Sequence, residues 1–157
     1  MNHQKEIENK KELIVEEYAV LLEKQEKLSP IAARIISLLL IDNRVALTFD
    51  ELLNYLKASK STVSTNLKSL GNAGFVEYFT KSCDRKRYFC LSESGYKLRI
   101  EEILKSYQQE LSLIKKIMAF KDEANQITHN TTKRYRNGNE APYTNFLSKI
   151  INCIKST

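Results

Sequence analysis

A mainly helical α+β fold is what this sequence predicts, and three observations carry that expectation. Glycine (4) and proline (2) are scarce among 157 residues, too few for the tight turns of an all-β protein. Long segments repeat apolar residues at helical spacing. Only two short runs, 75–79 and 87–91, are rich in aromatic and β-branched residues and read as strands. A chain of this length can bury a sizeable core, and a single domain is the simplest organisation.

Residues 4–28 predict one amphipathic helix. Ile7, Ile14, Leu21 and Leu28 recur every seven residues, Val15, Tyr18 and Leu22 widen the stripe, and charges fill the rest. Ser29-Pro30 is a start signal, with Ser as N-cap and Pro in the first turn. The helix Ile31 to Asp42 is apolar on nearly all faces and therefore belongs at the centre of the core. Thr48 with Glu51 three residues on is a capping box, and Leu52, Leu53 and Leu56 supply that helix's apolar face. Ala58-Ser59-Lys60 connects to a helix over 60–70 that buries Val63, Leu67 and Leu70 and stops at Gly71 and Gly74. The strands 75–79 and 87–91, joined by the polar, basic loop 80–86, make a hairpin. Ser92 then caps a long helix whose stripe runs from Ile100 through Ile103, Leu104, Tyr107, Leu111, Ile114, Ile117 and Met118 to about Phe120. It is longer than a compact core needs, so part of it is expected to face a second chain. Residues 125–141 are polar with little periodicity and read as a loop or weak helix. Phe146, Leu147, Ile150, Ile151 and Ile154 restore a helical stripe.

Charge narrows the function classes. The chain carries 25 Lys and Arg against 19 Asp and Glu, a net +6. Residues 1–28 sum to −2, 29–56 to −1, 57–90 to +5 and 91–157 to +4. Clustered bases attract polyanions, so a binding surface is expected to include 57–90. The longest near-apolar run, Ile35 to Ile41, is far shorter than the roughly 20 residues of a membrane span. Met1-Asn2-His3-Gln4 shows no basic-then-apolar leader pattern, and three scattered cysteines suggest a reducing, cytoplasmic setting. His3 and His129 lie far apart, and no Cys or His pair has ligand spacing, so no metal is expected. No Ser, His and acid are grouped as nucleophile and base, and no Gly-rich phosphate loop exists, so neither an enzyme nor a cofactor is expected.

The order helix, helix, short turn, helix, basic-tipped hairpin is the layout of a winged helix-turn-helix. The outer face of the helix at 60–70 is Lys60, Ser61, Thr62, Thr65, Lys68 and Ser69, with Ser64 and Asn66 at its flanks and no acid among them. Solvated helix faces usually mix Glu with Lys, so this face is informative. Short hydrogen-bonding groups let a helix approach bases in a major groove. Ser61, Thr62, Thr65, Asn66 and Lys68 are the base-facing candidates. Ser59 and Lys60 at the helix N-terminus, and Lys81, Arg85, Lys86 and Arg87 in the wing, are candidates for phosphate or minor-groove contact. Asp84 either holds one of the arginines or offsets charge. A protein-docking module would place acids on the 60–70 face. An RNA binder would expose aromatics beside the bases, whereas Tyr78, Phe79, Tyr88 and Phe89 are expected in the core. Cys83 sits among cations that lower a thiol pKa, which suits a redox sensor, although a chance exposed cysteine is the simpler reading. Cys90 and Cys153 are expected as small core residues. Tyr18, Tyr55, Tyr107 and Tyr135 suit the core or a dimer seam better than an effector pocket.

From Leu28 to Gly95 the chain resembles the MarR superfamily of bacterial transcriptional regulators, most closely its GbsR-like branch. The residues that carry this are Ser59-Lys60-Ser61-Thr62-Val63-Ser64-Thr65-Asn66-Leu67-Lys68-Ser69-Leu70, Gly74-Phe75-Val76, Asp84-Arg85-Lys86-Arg87-Tyr88-Phe89 and Leu91-Ser92-Glu93-Ser94-Gly95. The resemblance implies a winged helix-turn-helix core at 29–95 within a single MarR-like chain of 1–157. Residues 1–28 and 96–157 would form helical dimerisation segments. It implies a homodimer reading a palindrome in double-stranded DNA, and repression relieved by a small-molecule effector. Independently, the apolar stripes of the terminal helices would be left exposed in a monomer, and a twofold dimer would bury them.

Overall fold

Helix α2 (Pro30–Ile41) forms the axis of the core, as its all-round apolar sequence requires. Ser29 caps it: the residue is extended (φ −65°, ψ 155°), and its Oγ accepts a hydrogen bond from Ala32 N at 3.1 Å. Ala32, Ala33 and Ile35 to Leu39 are buried, and the one polar member, Ser37, donates to the Ala33 carbonyl at 2.9 Å. The computed structural model describes residues 2–129 and 131–157. Met1 of the N-terminal segment and Asn130 of the polar stretch fall outside the described residues. The chain divides into two compact units, Met1–Tyr96 and Lys97–Thr157.

In the first unit, α1 (Asn2–Glu26) lies on α2 and buries Val15, Ala19 and Leu22. The seven-residue series faces elsewhere: Ile7 is 67% exposed, Ile14 42% and Leu21 44%. One residue is 100° of helix, so Ile14 and Leu21 stand a quarter-turn away from Val15 and Leu22. The single broad stripe of the sequence is therefore two faces, one buried and one open.

Asp42 closes α2, its N–H donating to the Leu38 carbonyl at 3.0 Å. Its carboxylate, 2% exposed, accepts from Arg44 at 2.8 Å and from Lys11 of α1 at 2.9 Å. Arg44 in turn meets Glu51 at 2.8 Å. The Arg44 hydrogen bonds, with Lys11 beside them, hold the Asp42 carboxyl well below the usual range, against the opposing effect of burial. Helix α3 (Phe49–Leu56) begins with the expected capping box: Glu51 N donates to Thr48 Oγ1, and Thr48 N donates to the Glu51 carboxylate at 2.7 Å.

Helix α4 (Lys60–Asn72) runs two residues beyond Leu70 before Gly74 turns the chain at φ 80°. Strands β2 (Val76–Thr80) and β3 (Arg87–Leu91) pair antiparallel with Tyr78 opposite Phe89 and Phe79 opposite Tyr88. A two-residue strand β1 (Leu47–Thr48) adds to the far side of β3, giving the order β1-β3-β2. It is too short to show any periodicity.

The long helix α5 (Gly95–Ile127) starts two residues later than the Ser92 cap predicted. Ser92 instead stays with the sheet, its N–H donating to the Phe75 carbonyl at 2.9 Å. A Cβ at Gly95 would stand 3.1 Å from the Gly74 carbonyl, so a larger residue would push that backbone away by a few tenths of an ångström.

In the second unit, α6 (Glu140–Lys155) runs along α5 and buries Leu147 and Ile151. The polar stretch before it is ordered by polar contacts. Asn125 both donates to the Tyr135 carbonyl at 2.9 Å and accepts from Tyr135 N at 2.8 Å. Lys121 pairs with Glu140 and donates to the Arg136 carbonyl at 3.0 Å. The stretch holds one short 3₁₀ turn, Thr131–Lys133. Cys153 is exposed, not core, because it stands two residues from Ile151 and so points away from the buried face; Cys90 is half-buried. Among the described residues no helix is long and apolar enough to cross a membrane.

Candidate nucleic-acid interface

The site is built on α4. Val63, Leu67 and Leu70 anchor it in the core, and Lys60, Ser61, Thr62, Ser64, Thr65, Lys68 and Ser69 are exposed. No acid occurs from Lys60 to Asn72. At the N-terminus Ser59 is the cap (φ −69°, ψ 151°). Its Oγ accepts from Thr62 N at 3.2 Å and shares hydrogen bonds with Ser61 Oγ at 3.1 Å and Thr62 Oγ1 at 2.7 Å.

Asn66 behaves differently from its neighbours. It is half-buried, its Nδ2 donates to the Thr62 carbonyl at 2.8 Å, and its Oδ1 accepts from Ser29 Oγ. It therefore links α4 to the cap of α2. One amide N–H and one oxygen lone pair remain uncommitted.

On the opposite flank a cleft of about 920 Å³ separates α4 from the wing. Ser64, Lys68, Gly71 and Asn72 line one side; Tyr78, Arg85, Lys86 and Arg87 line the other. The structure thus gathers two of the helix candidates with three of the wing cations. Ser59, Ser61, Thr62 and Asn66 lie outside this lining, at the N-terminal end and far flank of α4. The cleft is not free of acids, since Asp50 and Glu77 also border it.

In the wing, Arg87 stands 4.7 Å from the Tyr78 ring centroid, and Lys81 stands 4.1 Å from that of Tyr88. Tyr78 is 52% and Phe79 41% exposed, so the expectation of a wing core holds for Phe89 alone and fails for these two. Phe79 and its cross-strand partner Tyr88 lie on the face of the hairpin opposite the buried Phe89, whereas Tyr78 shares the Phe89 face but stays open to the cleft. Tyr78 serves as a shelf for Arg87, and Phe79 stacks on Tyr88 at 5.6 Å. Asp84 holds no arginine: its carboxylate accepts from Tyr88 OH at 2.6 Å and from Lys86 N at 2.9 Å. Those two donors, the hydroxyl first, keep the Asp84 carboxyl below its ordinary range, and the same bond pushes the Tyr88 hydroxyl up. Among the described residues, no carboxylate lies within ion-pair distance of Arg85, Lys86 or Arg87.

Asn72 and Tyr78 were not legible as site residues. Asn72 continues the Thr65 line by two turns, but Gly71 read as the helix end. Tyr78 looked like an ordinary strand aromatic.

Residues 29–78 match the family model described as bacterial regulatory protein, arsR family. The match takes in α2, α3, α4 and the start of β2, under half of the chain. No curated protein sequence matches the chain. Among solved structures, the fold is similar to that of a protein described as a transcriptional regulator, at 20% identity and TM-score 0.55 over 94% of each chain. A transcriptional regulator from Thermotoga maritima aligns at 17% identity and TM-score 0.45 over 100% of this chain and 99% of that one. A MarR family transcriptional regulator from Streptomyces coelicolor, in complex with DNA, aligns at 18% identity and TM-score 0.45 over 83% and 91%. The family model covers the helical core that carries α4, and the likeness to the first of these structures is one of fold.

Proposed function

We propose that the chain is a sequence-specific, double-stranded-DNA-binding transcription regulator of the MarR superfamily, GbsR-like branch. It acts in the bacterial cytoplasm as a homodimeric repressor on a palindromic operator, and a small-molecule effector relieves it. Helix α4 enters the major groove and the wing at 80–87 meets the minor groove or the backbone. Ser61, Thr62, Thr65 and Lys68 face bases, and Asn66 reads the groove edge with its uncommitted N–H and lone pair. Ser64 faces the wing side of the same groove. Ser59, Lys60, Lys81, Arg85, Lys86 and Arg87 take phosphates.

The observation that carries this reading is the acid-free exposed face of α4 beside wing cations with no ion-pair partner among the described residues. The outward series Ile7, Ile14 and Leu21, with the exposed Ile103, Leu113 and Ile117 of α5, supports a second copy as partner. A twofold dimer sets two recognition helices about 34 Å apart, one turn of DNA.

Gel-shift titration of the wild-type protein on duplex from its own upstream region and on random duplex, across a salt series, tests the reading. Tighter binding to the upstream duplex is expected, and log affinity should fall steeply with log salt, by about 0.9 for each phosphate neutralised. Absence of salt-dependent duplex binding would sink the proposal and leave a protein-docking role for the same fold.

A further inference from the structure

We infer that Tyr88 is a positioning residue for the wing: its hydroxyl takes the Asp84 carboxylate out of reach of the neighbouring arginines and so leaves them free for a polyanion. This rests on the reading of the wing as a polyanion-binding element.

An acid at a basic loop tip is a liability. Asp84 is adjacent to Arg85 and three residues from Arg87, close enough in sequence to neutralise either. In the structure it does neither, because both carboxylate oxygens are engaged, Oδ2 by Tyr88 OH at 2.6 Å and Oδ1 by Lys86 N at 2.9 Å. The loop is closed by Asp84 N donating to the Lys81 carbonyl at 3.1 Å, with Cys83 in the left-handed region at φ 63°. The Tyr88 ring is itself fixed by Phe79 stacked against it and by Lys81 over it. A phenol O–H is the stronger and more directional of the two restraints on the carboxylate, and it is a single atom that can be removed without disturbing the ring packing.

Three variants test this. In Tyr88→Phe the ring stays and the hydroxyl goes; the released carboxylate pairs with Arg85. The slope of log affinity against log salt should shrink by about one unit, and affinity for random duplex at roughly 0.1 M salt should fall about five- to tenfold. In Asp84→Asn the amide oxygen still accepts from Lys86 N, the amide NH2 donates to the Tyr88 phenol oxygen instead of accepting from it, and no charge remains, so affinity should stay within about twofold of wild type. The double variant Tyr88→Phe/Asp84→Asn should return to the Asp84→Asn value, because no carboxylate remains to be released. Heparin affinity, measured on the same four proteins, counts free cations without requiring DNA recognition. Tyr88→Phe should elute at lower salt than the other three. If the double variant elutes as early as Tyr88→Phe, or if Tyr88→Phe elutes with wild type, the inference is overturned. If the heparin order holds while no protein binds duplex, the DNA reading fails and the positioning role of Tyr88 stands.

Discussion

Helices α1 and α4 bury one face in the same core and leave another face open, but they leave different chemistry there. α1 presents Ile7, Ile14 and Leu21 among interspersed Glu and Lys. α4 presents Ser, Thr and Lys, with no acid and no large apolar side chain on its open face. An apolar seam in water is relieved by another apolar surface, whereas an acid-free polar face with lysines is complementary to a polyanion. Two helices of one core can thus be matched to two kinds of partner by their outward residues alone.

The strongest way to break this comparison is to put acids on the α1 seam. Ile14→Glu/Leu21→Glu should leave the winged unit folded, because both positions are outside the core. It should halve the mass measured by sedimentation equilibrium. Operator affinity should fall about a hundredfold, since the second half-site would no longer be bound at high effective concentration. An unchanged mass would show that α1 contributes no contact between copies.

The complementary change places an acid on α4. Thr65 is exposed and central in the outer face, so Thr65→Glu faces phosphates and bases with a charge of the wrong sign. Binding to operator and random duplex alike should weaken about thirtyfold in gel shifts, roughly 2 kcal/mol. Thr65→Ala should instead change sequence preference more than overall affinity. If both variants bind as wild type, the face turned toward DNA is not this one.

Asp42 sharpens the comparison by holding the frame on which both faces depend. It ties Lys11 of α1 to the end of α2, and through Arg44 to Glu51 at the start of α3. Asp42→Asn should destabilise the protein by about 1.5 kcal/mol in urea unfolding at pH 7. The carboxyl has a folded pKa below its unfolded value near about 4, so its contribution is fully present above that pH and is lost as pH falls below it. The gap between wild type and variant should therefore close in acid. A gap that persists unchanged at about pH 2 would assign the stabilisation to packing rather than to the ion pairs.

Strong periodicity and capping chemistry made much of this architecture legible. The buried α2, the Thr48–Glu51 box and the Val63–Leu67–Leu70 anchor all follow from local sequence. What stayed hidden was set by tertiary contacts. Ser92 looks like a cap, but its N–H is taken by Phe75 in the sheet, so α5 starts at Gly95. β1 exists only because β3 lies beside Leu47 and Thr48. Tyr135 and Arg136 are held by Asn125 and Lys121 through their backbone carbonyls, contacts that leave no apolar rhythm in the sequence. In the site, residue types identified the charged and hydroxylic face of α4. They could not show that Asn66 is tied to Ser29, or that Asp84 is turned toward Tyr88, since both depend on side-chain direction across elements.

The smallest expected effect concerns Cys83, where the comparison makes a negative statement. If the DNA-facing region acts only through charge and hydrogen bonding, the sulfur has no part in it. Cys83 is exposed at the wing tip, and its place there follows from the backbone: φ is 63°, a conformation costing a side-chain-bearing residue about 1 kcal/mol. Serine tolerates that geometry as well as cysteine does and keeps the volume. Cys83→Ser should therefore change duplex affinity by less than about twofold, and peroxide should leave wild-type affinity where it was. A loss of wild-type binding on peroxide treatment, absent in Cys83→Ser, would place an oxidisable switch between Lys81 and Arg85. The wing would then respond to redox state as well as to charge, and the contrast between the two open helices would no longer suffice to describe how binding is controlled.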